Sequence, residues 1–116
     1  MMSGIIYKIV PSSLWRNAQA AGTFDGAPVD LADGFIHFST ADQVEETARR
    51  HFAGQDDLLL VAIDGEALGE ALVYETSRGG ALFPHLYGPL PLTAVISEQP
   101  LPLSPDGAHV FPELAA

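Results

Sequence analysis

Cysteine is absent from the 116-residue sequence, and basic residues are scarce. Without cysteine the chain has no disulfide, thiolate zinc site, iron–sulfur cluster or cysteine nucleophile. Only five lysine and arginine residues stand against 15 acidic ones, which gives a net charge of −10. Because no basic stripe is available to neutralise phosphates, the sequence predicts that nucleic acid is not a partner.

Long apolar runs and signal-like segments are also missing. The longest apolar run is Leu58 to Ile63, whereas a membrane-spanning helix needs about 20 apolar residues. The first four residues, Met-Met-Ser-Gly, carry neither the basic nor the apolar region of a signal peptide. We therefore expect a cytoplasmic protein without a membrane partner, and the length predicts one domain over residues 1–116.

Runs of β-branched and aromatic residues predict the strands. Residues 5–10 form such a run, and residues 58–63 are apolar on both faces, which predicts a central strand covered on both sides. The other predicted strands cover 34–39, 71–75 and 93–97, with an edge segment at 109–111. Because the strands are grouped late in the chain, the pattern predicts an α+β fold with a mixed or antiparallel sheet.

Two main helices and two irregular segments complete the prediction. The first helix covers about 12–21, and the second covers about 41–52. The second helix follows a capping box in which the Thr40 hydroxyl accepts the amide of Gln43 and the Gln43 side chain accepts the amide of Thr40. Residues 23–33 are rich in glycine, proline and aspartate and predict a long loop of the kind that often forms a lid or binding surface. Prolines and a glycine over 83–90 predict an irregular extended path.

A histidine on a predicted strand is the first candidate for chemistry. Alternation places His37 and Ser39 on one face of the strand and Ile36 and Phe38 on the other. If the apolar pair faces the core, His37 faces an opening and can serve a site. The alternative is a core histidine whose ring nitrogens are bonded for structural reasons.

Glu75, His85 and Tyr87 are the second group of candidates. Glu75 ends an apolar strand, where it is either a general base or hydroxyl acceptor or a solvated strand end. His85 and Tyr87 are two residues apart in an extended segment, so both point the same way, toward a binding wall or a structural corner. Together with His37 these residues lack the short spacings of metal motifs, so no metal is predicted.

Phosphate-binding and nucleophile motifs give no further guidance. The sequence contains no Gly-x-Gly-x-x-Gly, no phosphate loop and no Gly-x-Ser-x-Gly. A reaction type therefore does not follow from local motifs.

Two longer motifs carry a family resemblance. The segments 34–40 (Gly-Phe-Ile-His-Phe-Ser-Thr) and 83–90 (Phe-Pro-His-Leu-Tyr-Gly-Pro-Leu), together with Trp15, resemble the bacterial and plant family known as domain of unknown function 952. That family is grouped by fold with the ADP-ribosyltransferases. The resemblance thus implies an ADP-ribosyltransferase-like split α+β sheet whose cleft binds NAD.

The resemblance also implies roles on the first strand and on the histidine strand. The segment Gly-Phe-Ile-His-Phe-Ser is similar to the strand of poly-ADP-ribosyl transferases that carries an aromatic residue stacked on nicotinamide. His37 would take the place of that aromatic residue, with Ser39 beside the carboxamide. Tyr7 or Lys8 would lie where those enzymes carry a first-strand His or Arg.

The later residues receive roles by the same analogy. Tyr87 would stack and hydrogen-bond, Glu75 would contact a ribose, and His85 would supply acid–base capacity. Arg78 would meet a phosphate, because a guanidinium can bind it with two hydrogen bonds. The sequence departs from the transferases at their final glutamate, since His85 and Tyr87 occupy that region.

Three hypotheses follow for the function. The first is a cleft for a nucleotide, NAD or an ADP-ribose-like ligand, with altered or weak catalysis. The second is a non-enzymatic interaction module in which the histidine motifs brace the core. The third is a hydrolase that uses His85 and Glu75.

Overall fold

Eight strands and three α-helices form an α+β fold between residues 4 and 114, which are the residues that the computed structural model describes, apart from the side chain of Arg78. In chain order the elements are β1 (Ile5–Pro11), α1 (Ser12–Ala21), β2 (Thr23–Phe24), α2 (Pro28–Asp33), β3 (Ile36–His37), α3 (Val44–His51), β4 (Leu58–Asp64), β5 (Leu72–Thr76), β6 (Leu82–Leu86), β7 (Leu90–Pro91) and β8 (Val95–Pro100). Short 3₁₀ turns cover Gly65–Ala71, Arg78–Gly80 and Leu92–Ala94.

Three small antiparallel sheets are present in this part of the chain. Their strand orders are β1-β4-β8, β2-β7 and β3-β6-β5. The predicted α+β class is confirmed, and of the two predicted sheet types the antiparallel one is found. The prediction of a mixed sheet is wrong for residues 4–114, since every strand pair there runs antiparallel. A parallel pair needs a long crossover connection, and the helices here join strands of different sheets instead.

Strand β4 is central to the core and is covered on both faces, as predicted. Val61 packs in a cluster with Trp15 of α1. Its neighbours Leu60 and Ala62 face the opposite way and pack with Val44 of α3. Because successive side chains of a strand point to opposite faces, one strand supplies both clusters. A fully buried valine or leucine side chain contributes about 1.5–3 kcal/mol to stability.

Helix α1 agrees with the prediction, while the second main helix is shorter than expected. The amide of Thr40 donates to Gln43 Oε1 at 2.9 Å, as the capping box requires. The amide of Gln43 donates to the backbone oxygen of Thr40, where the prediction had named the hydroxyl. The helix proper, α3, begins at Val44. No helix among the described residues is long and apolar enough to cross a membrane.

The predicted loop over 23–33 is wrong, because this stretch contains β2 and the short helix α2. Pro28 stands at the start of α2, where the missing N–H of proline costs nothing. The side chain of Asp30 accepts the amide of Ala27 at 2.8 Å and so caps the first turn. Gly34, with φ 87°, ends the helix in the left-handed conformation.

Two other segments differ from the prediction in their regularity. The expected strand over 34–39 is reduced to β3, and Ser39 pairs with Tyr7 through an isolated bridge. The expected irregular path over 83–90 begins with the regular strand β6. Pro84 lies within that strand, and its carbonyl accepts the amide of Phe38 at 3.0 Å.

The last strands lie close to their predicted positions. Strand β5 matches the prediction to within one residue, and β8 begins and ends slightly later than 93–97. In the predicted edge segment at 109–111, only His109 pairs, through an isolated bridge with Leu103.

Substitution of Gly34 tests how much the left-handed conformation at the end of α2 affects the free energy of unfolding. A Cβ at this position would meet no atom within 4 Å, so only the backbone conformation opposes a side chain. Gly34→Ala should therefore lower the free energy of unfolding by about 1 kcal/mol, measured by urea denaturation. Gly34→Asn should cost less, because asparagine tolerates the left-handed conformation.

Asn17→Ala, on the exposed face of α1, is the control and should be neutral or slightly stabilising. A Gly34→Ala variant as stable as wild type would show that the left-handed conformation at this position costs nothing.

Candidate functional site

An open cleft of about 520 Å³ lies where β1, β3, α3 and β6 approach one another. Its apolar surface comes mainly from aromatic and aliphatic side chains, namely Ile9, Val29, Phe38, Phe52 and Phe83. Five of the predicted site residues line it as well, namely Tyr7, Lys8, His37, Ser39 and His85. The cleft therefore combines an apolar floor with several titratable groups, as ligand sites commonly do.

The side chains of the histidine strand point as the alternation predicted. Ile36 and Phe38 are buried in the core, and His37 borders the cleft with about a third of its side chain exposed. Ser39 is buried, and its Oγ lies 2.8 Å from Oγ1 of Thr47 on α3. This contact joins the end of the histidine strand to the helix beyond it.

A buried carboxylate, Asp30, organises one wall of the cleft. It is 1% exposed, and its Oδ1 lies 2.6 Å from Nδ1 of His37 and accepts the His37 amide at 3.1 Å. Nζ of Lys8 approaches both oxygens, at 3.1 and 2.9 Å, and also donates to the backbone oxygen of His37. One carboxylate thus fixes a strand, a lysine and an imidazole relative to one another.

The pKa values of this buried pair follow from its surroundings. Burial alone would raise the pKa of Asp30, but the hydrogen bond from His37 and the charge of Lys8 outweigh it and hold the pKa at about 2. Burial lowers the pKa of the Lys8 ammonium, and the charge of Asp30 opposes that shift. The ammonium of Lys8 is therefore paired with Asp30, and it contributes little free positive charge to the cleft.

The second nitrogen of His37 meets another carboxylate. Nε2 lies 3.0 Å from Oδ2 of Asp33, which is half exposed and also lines the cleft. Both ring nitrogens of His37 are thus occupied by carboxylate oxygens. An ionised carboxylate can only accept, so both contacts are satisfied when the ring carries two protons.

Glu75, His85 and Tyr87 come together in a second constellation. Oε1 of Glu75 lies 2.7 Å from Nδ1 of His85 and accepts the hydroxyl of Tyr87 at 2.8 Å. These hydrogen bonds, from His85 and then Tyr87, lower the pKa of Glu75, and the bond to Glu75 raises the pKa of Tyr87. Only His85 of the three lines the cleft, so Glu75 and Tyr87 lie behind it.

Phe35 joins the two constellations. Its ring stacks on His85 at 4.1 Å between centroids and contacts His37 at 4.6 Å and Tyr87 at 5.3 Å. His37 and His85 are themselves paired residues of β3 and β6, with ring centroids 5.5 Å apart. The two imidazoles therefore stand side by side on rigid strands.

Arg78 is the one predicted site residue whose side chain lies outside the described part of the structure. Its predecessor Ser77 lines the cleft, which places the backbone of Arg78 next to a lining residue. Among the described residues, no three His, Cys, Asp or Glu side chains are grouped as a metal ion would require. His37 and His85 instead direct their Nδ1 atoms to separate carboxylates.

Three residues at the site, Asp30, Asp33 and Phe35, were not predicted from the sequence. A local signal existed for Asp30, because proline at the first position of a helix and aspartate two residues later are typical of a capped N-terminus. The contact with Lys8 spans 22 residues of sequence and leaves no local pattern.

Comparison with known proteins places this architecture among solved structures. The family model described as "Protein of unknown function (DUF952)" matches residues 9–98. A crystal structure of protein CC0527 from Caulobacter crescentus is 51% identical, with a TM-score of 0.88 over 91% of this chain and 93% of that chain. A solution NMR structure of CC0527, also 51% identical, has a TM-score of 0.81 over 90% of each chain. No curated protein matches the chain.

Removal of the Asp30 charge tests whether the carboxylate holds the cleft wall. Asp30→Asn keeps the shape but leaves Lys8 buried without its counter-ion, so the free energy of unfolding should fall by about 3–5 kcal/mol at neutral pH in urea denaturation. Asp33→Asn, on the same helix but half exposed, should change it by no more than about 0.5 kcal/mol. Equal effects of the two substitutions would contradict this role.

The stability difference between wild type and Asp30→Asn should also depend on pH in one direction. The pKa of Asp30 is lowered on folding from 3.8 to about 2. The contribution of this group is therefore complete above about pH 3.8 and is lost as the pH falls through about 2. A difference that grows on acidification would be inconsistent with an ionised, paired Asp30.

Proposed function

This chain belongs to the family described as protein of unknown function DUF952, as its two histidine motifs predicted, and we propose that its cleft binds a nucleotide of the NAD or ADP-ribose type. The observation that carries the proposal is the pair of imidazoles on β3 and β6. Each is held at Nδ1 by a carboxylate, and both border the same cleft.

The shape and lining of the cleft support a nucleotide. A volume of about 520 Å³ falls in the range of about 300–1,000 Å³ that small-molecule sites occupy. Phe52 and Phe83, which are partly buried, offer apolar surface for a heteroaromatic ring. The Ser39 hydroxyl and the imidazole of His85 offer hydrogen bonds to a carboxamide or to ribose hydroxyls. We assign the phosphate contact to Arg78, which follows the lining residue Ser77.

The sheet arrangement supports a relation to the ADP-ribosyltransferase-like fold. The two three-stranded sheets, β1-β4-β8 and β3-β6-β5, are distinct and meet at the isolated bridge between Tyr7 and Ser39, and residues from both line the cleft. A split antiparallel sheet with a ligand between its halves is the arrangement that the family grouping implies. Because one fold serves many functions, the ligand assignment depends on the cleft residues rather than on this relation.

An interaction module, in which the histidines brace the fold, is the second candidate function. The mutual satisfaction of Asp30, Lys8 and His37 favours it, since these groups need no ligand to complete their hydrogen bonds. On this account His37→Ala would destabilise the domain, and no nucleotide would bind in the cleft.

NMR titrations of the ¹⁵N-labelled chain with NAD, ADP-ribose and nicotinamide, each in a separate sample, test the nucleotide proposal. We expect saturable shifts that cluster at the cleft residues Ser39, His37 and His85 for NAD or ADP-ribose. His85→Ala should weaken binding about tenfold or more, since it removes a stacking surface and a hydrogen bond. His37→Ala should also weaken binding, through the loss of ring surface at the cleft. His109→Ala, outside the cleft, is the matched control and should bind as wild type does.

Two outcomes of the titration would change this proposal, one by removing the nucleotide assignment and the other by adding catalysis. If no cleft resonance moves at millimolar ligand, the nucleotide assignment is wrong and the interaction module is favoured. If NAD binds and free nicotinamide accumulates in that sample but not in the His85→Ala sample, the cleft is catalytic rather than only a binding site.

A further inference from the structure

The two ring nitrogens of His85 have different surroundings. Nδ1 is bonded to Glu75, whereas Nε2 has no hydrogen-bond partner among the described residues. In that part of the chain no buried side-chain nitrogen or oxygen lacks a partner. Nε2 is therefore reached by solvent although the side chain of His85 is only 7% exposed. Since His85 lines the cleft, the cleft is the space that this atom faces.

The carboxylate of Glu75 decides which nitrogen of the neutral ring carries the proton. An ionised carboxylate can only accept, so Nδ1 must be the donor across the 2.7 Å contact. The neutral ring then has no proton on Nε2. A lone pair is therefore directed at the contents of the cleft.

Three neighbours hold the ring of His85 in this orientation. The hydroxyl of Tyr87 donates to the same oxygen of Glu75 at 2.8 Å and keeps the carboxylate in place. Phe35 stacks on the imidazole with an angle of 27° between the ring planes. Strands β5 and β6 are paired over their length, which fixes Glu75 and His85 relative to one another. A ring held in this way is ready to accept without rearrangement.

His37 differs from His85 in this respect. Its Nδ1 and Nε2 both lie within 3.0 Å of carboxylate oxygens, those of Asp30 and Asp33, so each nitrogen already has a neighbour in the protein. Ser39, another polar residue that lines the cleft, is already in contact with Thr47. Of these cleft groups, His85 is the one that presents an unoccupied acceptor.

We propose that Nε2 of His85 accepts a hydrogen bond from a ribose hydroxyl of the bound ligand, and that Glu75 and Tyr87 are positioning residues that place the single proton of the neutral ring on Nδ1. The inference rests on the proposed function for the presence of a ribose. The same lone pair can act as a general base: the O–H bond breaks, an N–H bond forms, and the electron pair stays on the oxygen. Glu75 then stabilises the positive charge on the ring.

The proton position in the ligand-free chain is the first test. Ring ¹⁵N shifts of the full chain at pH 8 should show a proton on Nδ1 of His85 and a bare Nε2. Glu75→Ala should move the proton to Nε2, which an unanchored neutral imidazole favours. Glu70→Ala, at an exposed glutamate that does not contact His85, should leave the ring unchanged. A proton on Nε2 in wild type, or no effect of Glu75→Ala, would overturn the inference.

Addition of ADP-ribose is the second test. The Nε2 resonance of His85 should move on saturation, and Tyr87→Phe, which keeps the ring but loses the hydroxyl, should reduce that change. His85→Phe, which keeps the stacking on Phe35, should weaken binding about fivefold through the lost hydrogen bond.

The two tests separate this inference from the proposed function. If ADP-ribose moves other cleft resonances but leaves Nε2 unmoved, the acceptor role of His85 is wrong and the nucleotide proposal stands. If ADP-ribose moves no resonance, the nucleotide proposal is wrong, and the proton position in the free chain alone decides whether His85 is an acceptor.

Discussion

The buried carboxylate of Asp30 is the interaction on which the candidate site depends. It belongs to α2, yet it binds Lys8 of β1 and both the backbone and the ring of His37 on β3. Removing a carboxylate from water costs several kcal/mol unless a counter-charge and hydrogen bonds compensate. The three elements therefore stay together because each supplies part of that compensation, and the cleft wall is the result.

The same arrangement explains why two similar histidines play different roles. His37 is enclosed by carboxylates, and it ties the wall to α2. His85 has one carboxylate, on the side away from the cleft, and keeps its other nitrogen open. With Lys8 already paired and a net charge of −10, the described cleft residues offer little unpaired positive charge.

Local patterns in the sequence predicted what depends on local geometry. Alternation correctly divided Ile36 and Phe38 from His37, and the double-sided apolar run predicted the central strand. The contact between Asp30 and Lys8 could not be predicted in this way, because it joins residues 22 apart through the tertiary fold. The helix α2 was not predicted because the many glycine, proline and aspartate residues of 23–33 indicated a loop, and this was given more weight than the capping residues that indicate a helix. The contact between Glu75 and His85 depends on the pairing of β5 with β6. That pairing was not predicted, because the prolines of residues 83–90 indicated an irregular path.

A double-mutant cycle on Lys8→Met and Asp30→Leu tests most directly whether this pair organises the cleft wall. Asp30→Leu leaves the Lys8 ammonium buried without its carboxylate, and Lys8→Met leaves Asp30 without its lysine, whereas the double variant removes both charges. The double variant should therefore be more stable than the sum of the single losses predicts, by about 1–3 kcal/mol in the free energy of unfolding. Losses that add to within about 0.5 kcal/mol would show that Lys8 and Asp30 act independently and would contradict the account.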